Sequence, residues 1–375
     1  MPRPSGGDTG RRVLIDATSL WDGGSNRNYH RNLLHELDRD PRGFSFTVLA
    51  PEGELSAEEL GSHELIEVSF PRRGRALFRV LWQQARLPAW ASDYDLVFCT
   101  TDLSPAWGST PTVVLLGNLN IYDRRFYDTP RTRLLFQLAR RGARNANSVV
   151  TPSAVASEAV QHALSIPPEK VHVVPHGITQ EAFSVGSYRS ESGAPYVFLP
   201  SNLERHKNIR VMIECLAYLE EPRVEIIIAG GRSLDEAHAR DLEDFAVSRG
   251  VADRVPFIGA VAYEDVLSYY RGATALVFSS LLESFGFPML EAMLAEAPII
   301  ASDLPIFHEI AGDSAQYFSP QDPRALAEAI LSVIDQPEAA ARRVALGKER
   351  VKQFSWSHSV DCLCEVFERV LGGPA

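Results

Sequence analysis

The sequence predicts an α/β protein with two domains, each built on a parallel sheet with crossover helices. Short apolar runs of strand length alternate with amphipathic segments of helix length along most of the chain. This alternation stops in the small and polar stretch 184–195 and then starts again. A chain of 375 residues has room for two to three average domains. We therefore expect two α/β domains joined by a linker.

In the first half, the apolar runs predict strands that alternate with crossover helices. The predicted strands lie at residues 12–17, 46–50, 96–99, 113–116, 148–151 and 171–174, and helical patterns lie at 76–87 and 132–143. Gly23 and Gly24 follow the first strand and precede a helical pattern that begins at Tyr29. A loop with paired glycines suits backbone contact with a phosphate or an acceptor.

The second half repeats this arrangement and ends in a helix. Its predicted strands lie at residues 196–200, 224–229, 255–258, 275–278, 298–301 and 315–317, and the final helix covers 358–371. We expect a first domain at 1–185, a second at 186–357 and a C-terminal helix at 358–375 that can cross back to the first domain. Ligands of open parallel sheets bind beyond the carboxyl ends of the strands, so the loops there are the place to look for chemistry.

Composition and charge exclude several classes of protein. The chain is 45% hydrophobic and 23% charged with no low-complexity tract, which is typical of a folded protein. It has neither a membrane-length apolar run nor a signal-like start, so we expect a cytoplasmic protein. Four scattered cysteines predict reduced thiols, and we expect no metal site. The net charge of −11 argues against nucleic acid as a partner.

Charge is unevenly divided along the chain. Residues 1–185 hold 20 basic and 20 acidic side chains, so the remaining 17 and 28 give the second half the whole net charge. Residues 72–144 contain twelve arginines and five aspartates, with no lysine or glutamate. This local excess predicts that the first domain faces an anionic acceptor or an anionic membrane, in which case the protein is peripheral at the inner membrane face. The alternative is a small soluble acceptor, such as an aminocyclitol or another natural-product intermediate.

The most informative segment runs from residue 279 to residue 296. It follows an apolar strand and reads Ser-Ser-Leu-Leu-Glu-Ser-Phe-Gly-Phe-Pro-Met-Leu-Glu-Ala-Met-Leu-Ala-Glu. Pro288 suits the first turn of a helix, and Gly286 lets the backbone approach a ligand. The helix N-terminus would favour a phosphate, with Glu283 in the loop and Glu291 in the first turn accepting hydrogen bonds from sugar and ribose hydroxyls. The helix dipole alone also favours a glutamate in a first turn, so Glu291 by itself is weak evidence.

This segment resembles the hallmark of the retaining family-4 glycosyltransferases of the GT-B fold, in which two Rossmann-like domains face each other across a cleft. The matching string is Glu-Ser-Phe-Gly-Phe-Pro-Met-Leu-Glu-Ala-Met at 283–293, and shorter matches run in order along nearly the whole chain, at 15–16, 150–153, 174–178, 207–208, 257–259 and 354–356. The resemblance implies transfer of a hexose from a UDP- or GDP-sugar to an acceptor hydroxyl, with no cofactor and no metal. Such enzymes serve polysaccharide, glycolipid or natural-product biosynthesis.

The resemblance also implies roles for individual residues. Glu283 would contact the transferred sugar, Glu291 the ribose, and Lys207 the diphosphate, where its charge would stabilise the departing group. The remaining donor-binding candidates are Ser284, Phe285, Gly286, Phe287, Arg205, Gly23 and Gly24.

Two departures from the family pattern leave alternatives open. The family often has an arginine at the place of Asn202, and Arg205 is the nearest substitute. Where many members have His-Asp, this chain has Gly117-Asn118, and Asn118 either contacts the transferred sugar or only forms a turn. The alternatives to a transferase are a sugar-nucleotide epimerase or phosphorylase on a similar fold, and a catalytically silent partner of another transferase.

The predicted helix at 75–88 has a basic face and an apolar face. Arg75, Arg79, Gln83 and Arg86 share one face, while Leu77, Phe78, Leu81 and Ala85 share the other. The helix either lies on an anionic membrane or packs its apolar face on the sheet and exposes its arginines. We favour packing on the sheet.

Overall fold

The computed structural model describes residues 11–20, 24–100, 102–179, 186–190, 192–219, 223–231 and 235–372. The chain divides into two compact units, one containing Met1–Gly177 and Trp356–Ala375 and the other Ile178–Ser355. The division comes before the stretch that we expected to be a linker. In that stretch, Tyr188 donates its backbone N–H to Ser268 O and stacks its ring 4.2 Å from that of Tyr269, so it packs on the second unit.

The first unit is built on a parallel sheet. Its described strands are β1 Arg11–Asp16, β2 Phe44–Pro51, β3 Glu64–Val68, β4 Leu96–Cys99, β5 Thr112–Leu115, β6 Ser148–Thr151 and β7 Val171–Val173. Its described helices before residue 178 are α1 Gly24–Leu37, α2 Ala57–Leu60, α3 Arg75–Ala85, α4 Leu87–Ala91, α5 Pro130–Asn145 and α6 Ala154–Leu164. The strand order is β3-β2-β1-β4-β5-β6-β7, so the direction of winding reverses between β1 and β4.

The second unit is also built on a parallel sheet. Its described strands are β8 Tyr196–Pro200, β9 Glu225–Ala229, β10 Phe257–Gly259, β11 Ala275–Phe278, β12 Ile299–Ser302 and β13 Ala315–Phe318. Its described helices are α7 Ile209–Cys215, α8 Glu236–Ser248, α9 Tyr263–Gly272, α10 Phe287–Leu294, α11 Pro305–Ala311, α12 Pro323–Asp335 and α13 Pro337–Arg350. The strand order is β10-β9-β8-β11-β12-β13, and the winding reverses between β8 and β11.

The last helix, α14 (Trp356–Val370), belongs to the first unit. Its buried face joins the core that contains β1, β2 and β4. The ring centroid of Phe367 lies 5.4 Å from that of Phe98 and 5.9 Å from that of Phe44. Phe98 and Phe367 are fully buried, and burial of such large apolar side chains stabilises the helix on the first sheet.

Two local features differ from the sequence-based expectation. The strand β3 was not predicted, because it lies at the sheet edge and exposes Glu64 and Glu67. Helix α1 begins at Gly24, well before Tyr29, so Gly24 is helical and not a loop residue. Gly23 lies outside the described residues.

The expected packing of α3 is wrong. Leu77, Phe78 and Leu81 are 57%, 49% and 56% exposed, whereas Gln83 and Val80 are buried. Hydrogen bonds of Gln83 explain this orientation. Gln83 Nε2 donates to the buried Asp16 Oδ2 at 2.6 Å and to Leu103 O at 3.0 Å. A buried carboxylate requires hydrogen bonds, so this polar pair turns the helix and leaves the apolar face in solvent.

Candidate active site

Two loops leave the second sheet at its switch point. One follows β8 and covers residues 201–208, and the other follows β11 and covers residues 279–286. Both begin at carboxyl ends of neighbouring parallel strands, which is where ligands bind in open α/β sheets. Every candidate residue of the second unit lies on these two loops, apart from Phe287 and Glu291, which lie on α10.

Main-chain contacts fix the two loops to each other. Leu281 donates its N–H to His206 O at 2.7 Å, and the Ser279 hydroxyl donates to Lys207 O at 2.8 Å. The first loop also lies against Gly230 so closely that a Cβ there would be 2.1 Å from Ser201 O. Residue 230 must therefore be glycine. The backbone of the first loop, which carries Lys207, contacts Gly230 on one side and the second loop on the other.

The two loops bring Lys207 and Glu283 into contact. Lys207 Nζ lies 2.5 Å from Glu283 Oε1, and the same oxygen accepts a hydrogen bond from the Ser280 hydroxyl at 2.9 Å. The side chains of Lys207 and Glu283 are only 16% and 14% exposed, so the pair is weakly screened by water. Lys207 Nζ also lies 5.6 Å from the ring centroid of Phe278. The arrangement offers a fixed ammonium and a fixed carboxylate side by side.

Two further titratable groups border this pair. Burial raises the pKa of Glu204, an effect that the charge of Lys207 opposes. Burial, assisted by the nearby Lys207, lowers the pKa of His206 to about 4. His206 is therefore neutral at neutral pH. The positive charge at this place in the first loop is carried by Lys207 and not by its histidine neighbour.

Helix α10 begins at the end of the second loop. Gly286 is its N-cap with φ of 104°, a conformation that favours glycine, and Pro288 lies in its first turn. Glu291 lies in the second turn and not in the first as expected, because the helix begins at Phe287. The helix dipole therefore gives Glu291 less support than the sequence suggested.

Glu291 has a specific partner that was not predicted. The hydroxyl of Tyr270, on α9, donates a hydrogen bond to Glu291 Oε2 at 2.8 Å. Tyr270 is fully buried, and its ring packs 5.3 Å from that of Phe198. The tyrosine thus orients one carboxylate oxygen of Glu291. Tyr270 and Glu291 lie on separate helices, so no local sequence pattern predicts this contact.

We predict that Tyr270→Phe weakens nucleotide diphosphate binding without unfolding the protein. The phenylalanine keeps the buried ring and removes only the hydroxyl that orients Glu291, so we expect an affinity loss of about three- to tenfold. Calorimetric titration of the nucleotide measures it, and Tyr218→Phe, at an exposed tyrosine of the same unit, is the control. An unchanged affinity would show that Glu291 needs no orientation by Tyr270.

The remaining donor-site candidates take different positions. Arg205 lies on the first loop but pairs with Asp235, the N-cap of α8, at 2.7 Å. Phe285 is buried between Phe287 and Phe354, with ring centroids at 5.3 and 5.8 Å, so it packs the loop. Ser284 is half-buried beside it in the same loop. The structure therefore brings together Lys207 and Glu283, while Arg205 is engaged with α8.

In the first unit, Asn118 lies at the carboxyl edge of the sheet and caps a short 3-10 helix. Its side-chain oxygen accepts the N–H of Asn120 at 3.1 Å, which is the turn geometry that we considered as one alternative. Its own N–H and that of Gly117 are donated to Asp102 Oδ1 at 2.7 and 2.6 Å. A role of Asn118 in sugar contact stays a prediction.

Asp102 is a residue that sequence analysis missed. It has a φ of 57°, which is uncommon outside glycine, and burial raises the pKa of its carboxyl group against the effect of its two backbone hydrogen bonds. Asp102 holds the Gly117–Asn118 turn from the loop after the neighbouring strand β4. Its unusual backbone conformation is visible only in the structure.

The other motifs of the first unit have structural partners. Arg27, beside the paired glycines, makes a bidentate ion pair with Glu59 at 2.8 Å, which lowers the pKa of Glu59 to about 2. The sequence Asp93-Tyr94-Asp95 has the Asp-x-Asp form of some metal-binding motifs, but Asp95 accepts the backbone N–H of Arg12 at 2.8 Å. No group of three or more His, Cys, Asp or Glu residues that could hold a metal ion occurs among the described residues. Within the same residues, no helix has the length and apolar character that a membrane span requires.

Sequence comparison matches both units to glycosyltransferases. The model of the family described as "Glycosyl transferases group 1" matches residues 182–350, and the model of "Glycosyltransferase Family 4" matches residues 24–182. The chain belongs to the family-4 glycosyltransferases of the GT-B fold. The family hallmark at 283–293 therefore lies in the domain in which the structure places the Lys207–Glu283 pair.

Individual glycosyltransferases resemble the chain at moderate identity. The O-antigen chain mannosyltransferase RfbU of Salmonella typhimurium is 27% identical over 237 residues, which are 62% of this chain and 65% of the relative. The chain spans less than two thirds of the length of the curated relatives that it matches. The D-inositol 3-phosphate glycosyltransferase of Mycolicibacterium smegmatis is 30% identical over 214 residues, which are 54% of this chain and 48% of the relative, so the relatives are named for different activities.

Solved structures share the fold over almost the whole chain. Sucrose-phosphate synthase from Thermosynechococcus elongatus superposes with a TM-score of 0.77 at 19% identity, covering 96% of this chain and 99% of its own. Anabaena HepE in complex with UDP and glucose superposes with a TM-score of 0.75 at 19% identity, covering 96% and 100%. This likeness establishes two Rossmann-like domains, as the sequence predicted.

Proposed function

We propose that the protein transfers a hexose from a nucleotide diphosphate-sugar, with UDP or GDP as the nucleotide, to an acceptor hydroxyl with retention at the anomeric carbon. The observation that carries the proposal is the contact between Lys207 and Glu283 at the switch point of the second sheet, next to the start of α10. An ammonium there suits a diphosphate, and a carboxylate beside it suits the hydroxyls of the attached sugar.

The proposed mechanism depends on position and charge. Lys207 would stabilise the negative charge that develops on the diphosphate as the glycosidic bond breaks, and backbone N–H groups at the start of α10 would add to this effect. Glu283 would hold the sugar, with one of its oxygens already fixed by Ser280. Glu291, oriented by Tyr270, would bind the ribose. Fixed groups of this kind lower the barrier because little rearrangement is needed during the reaction.

We propose further that the reaction needs no metal ion. The positive charge that a metal would supply to the diphosphate is supplied here by Lys207. We expect transfer or hydrolysis of a nucleotide sugar in the presence of excess chelator, at a rate equal to that with added magnesium or manganese. Loss of activity with chelator and recovery with manganese would contradict this expectation.

The proposed function is tested by incubating the protein with UDP-, GDP-, ADP- and TDP-sugars and measuring nucleotide diphosphate release. A preceding thermal-shift screen of the four nucleotides selects the donor, since a ligand at a hundred times its dissociation constant adds about 2.7 kcal/mol of stability. The configuration of the transferred sugar, determined by NMR, tests retention. Nucleotide binding without release in any mixture would favour a catalytically silent protein.

The acceptor is proposed to be anionic or to be presented at an anionic membrane surface, with the protein peripheral to that membrane in the cytoplasm. The support is the excess of arginine over aspartate between residues 72 and 144. All of these residues lie in the first unit, whereas the net negative charge of the chain comes from residues 186–375.

A further inference from the structure

Helix α3 presents an apolar face to solvent. Leu77, Phe78 and Leu81 are all about half exposed or more, and Ala85 continues the same face one turn later. Leu134 on α5 is 54% exposed as well. Neighbouring apolar side chains left in water mark an interaction surface more often than isolated ones do.

The orientation of α3 is fixed from inside the unit. Gln83 on its inner face donates to Asp16, which also accepts hydrogen bonds from the N–H and the hydroxyl of Thr18 at 3.1 and 2.6 Å. Val80 lies in one buried cluster with Leu103 and with Ala139 of α5. Turning α3 to bury its leucines would break these contacts and strand a buried carboxylate. The exposed face is therefore a stable feature of the fold.

The same surface is basic and contains few acidic groups. Residues 69–92 include no aspartate or glutamate, and Arg72, Arg73 and Arg86 are exposed at the two ends of α3. Helix α5 carries five arginines and no acidic residue, and one of the five, Arg133, pairs with Asp128 just before the helix at 2.7 Å. Through the cluster of Val80 and Ala139, the two helices are neighbours. The charge of the surface is thus complementary to a dense layer of anions.

We infer that the exposed face of α3, defined by Leu77, Phe78 and Leu81 with the flanking Arg72, Arg73 and Arg86, docks on an anionic lipid bilayer, and that exposed arginines of the neighbouring α5 add to its charge. The apolar side chains enter the boundary between headgroups and acyl chains, and the guanidinium groups contact lipid phosphates. Apolar side chains flanked by arginines, without an intervening acidic residue, match a bilayer, which offers phosphate charge above a hydrocarbon layer. The inference deepens the membrane part of the proposed function, and it is tested by binding alone.

The test is flotation of the full chain with phosphatidylcholine vesicles that contain either no anionic lipid or about one third phosphatidylglycerol. We expect binding to the anionic vesicles only, and release at about 1 M salt, where the screening length is about 3 Å. The triple variant Leu77→Ser, Phe78→Ser, Leu81→Ser should lower the partition coefficient about tenfold or more. The double variant Arg72→Glu, Arg73→Glu should have a similar effect on anionic vesicles.

Matched controls come from the second unit. Val247→Ser with Leu346→Ser removes apolar side chains that are 67% and 51% exposed on other helices, and Arg342→Glu reverses an exposed arginine. Both controls should float like the wild type. Arg75 is unsuitable for charge reversal because it pairs with Glu54 at 3.0 Å. Melting temperatures show whether each variant is folded. If the serine variant is unfolded, the arginine variant still tests the inference.

Three results would overturn the inference. The first is a failure of the wild type to float with anionic vesicles at low salt. The second is equal flotation of the wild type and both face variants. The third is a dimer in solution that the serine variant abolishes, since a second copy would then cover the face. Because flotation needs no nucleotide sugar, none of these results bears on the transfer reaction, which the release assay measures separately.

Discussion

Replacement of Lys207 by alanine is expected to lower the rate of sugar transfer about 100-fold or more. The reason is that the Lys207 ammonium lies beside the proposed position of the diphosphate. Glu283 holds this ammonium, and the Ser279 hydroxyl, on the second loop, holds the backbone carbonyl of Lys207. Its removal also leaves Glu283, 14% exposed, without its counter-charge and next to an incoming anion. Both effects oppose formation of the departing diphosphate. Steady-state kinetics with the selected donor measures the loss.

The chain supplies a matched control for this variant. Lys348 pairs with Glu296 at 2.7 Å in the same unit, but the two side chains are 57% and 55% exposed. Lys348→Ala therefore removes the same kind of ion pair from a place where water screens it, and we expect activity within about twofold of the wild type. Equal losses in Lys207→Ala and Lys348→Ala would mean that ion pairing in general, and not the position of Lys207, supports activity.

Replacement of Glu291 by alanine is expected to weaken nucleotide diphosphate binding about 10- to 100-fold. A carboxylate that accepts hydrogen bonds from ribose hydroxyls contributes about 1.5–3 kcal/mol, because hydrogen bonds to charged groups are stronger than neutral ones. Glu291→Gln keeps an acceptor for Tyr270 and loses the charge, so its affinity should lie between those of the alanine variant and the wild type. Isothermal titration calorimetry measures all three.

The control for Glu291 is an exposed glutamate on a helix of the same unit. Glu328 forms a surface pair with Arg324 at 3.1 Å, with both side chains mostly exposed, and Glu328→Ala should leave nucleotide affinity unchanged. Thermal unfolding of Glu291→Ala shows whether loss of the Tyr270 contact destabilises the domain. Wild-type affinity in a folded Glu291→Ala protein would remove Glu291 from the site.

The two parallel sheets are predictable from sequence because central strands of such sheets are buried on both faces. The runs at 96–99 and 275–278 coincide with β4 and β11, and burial makes both of them continuously apolar. Strand β3 lacks this signal because, among the described strands, it lies at the sheet edge beside β2 and exposes its glutamates. The position of the loops at each switch point follows from the order of strands and helices along the chain.

The site itself is only partly predictable. The string at 283–293 identifies Glu283 and Glu291, and its match to the family implies Lys207, which the structure then places against Glu283. The roles of Tyr270 and Asp102 are not visible in sequence because each acts through a hydrogen bond between separate elements. The prediction that α3 packs its apolar face on the sheet is wrong for a related reason. The hydrogen bond between Gln83 and the buried Asp16 determines the orientation of the helix, in place of the burial of its apolar face.

The most direct test of the central claim is a crystal structure of the protein with the nucleotide diphosphate that the thermal-shift screen selects. We predict diphosphate oxygens within hydrogen-bond distance of Lys207 Nζ, beside the start of α10, and ribose hydroxyls that donate hydrogen bonds to Glu291. A nucleotide bound elsewhere, with no contact from its diphosphate to Lys207 and none from its ribose to Glu291, would contradict this prediction.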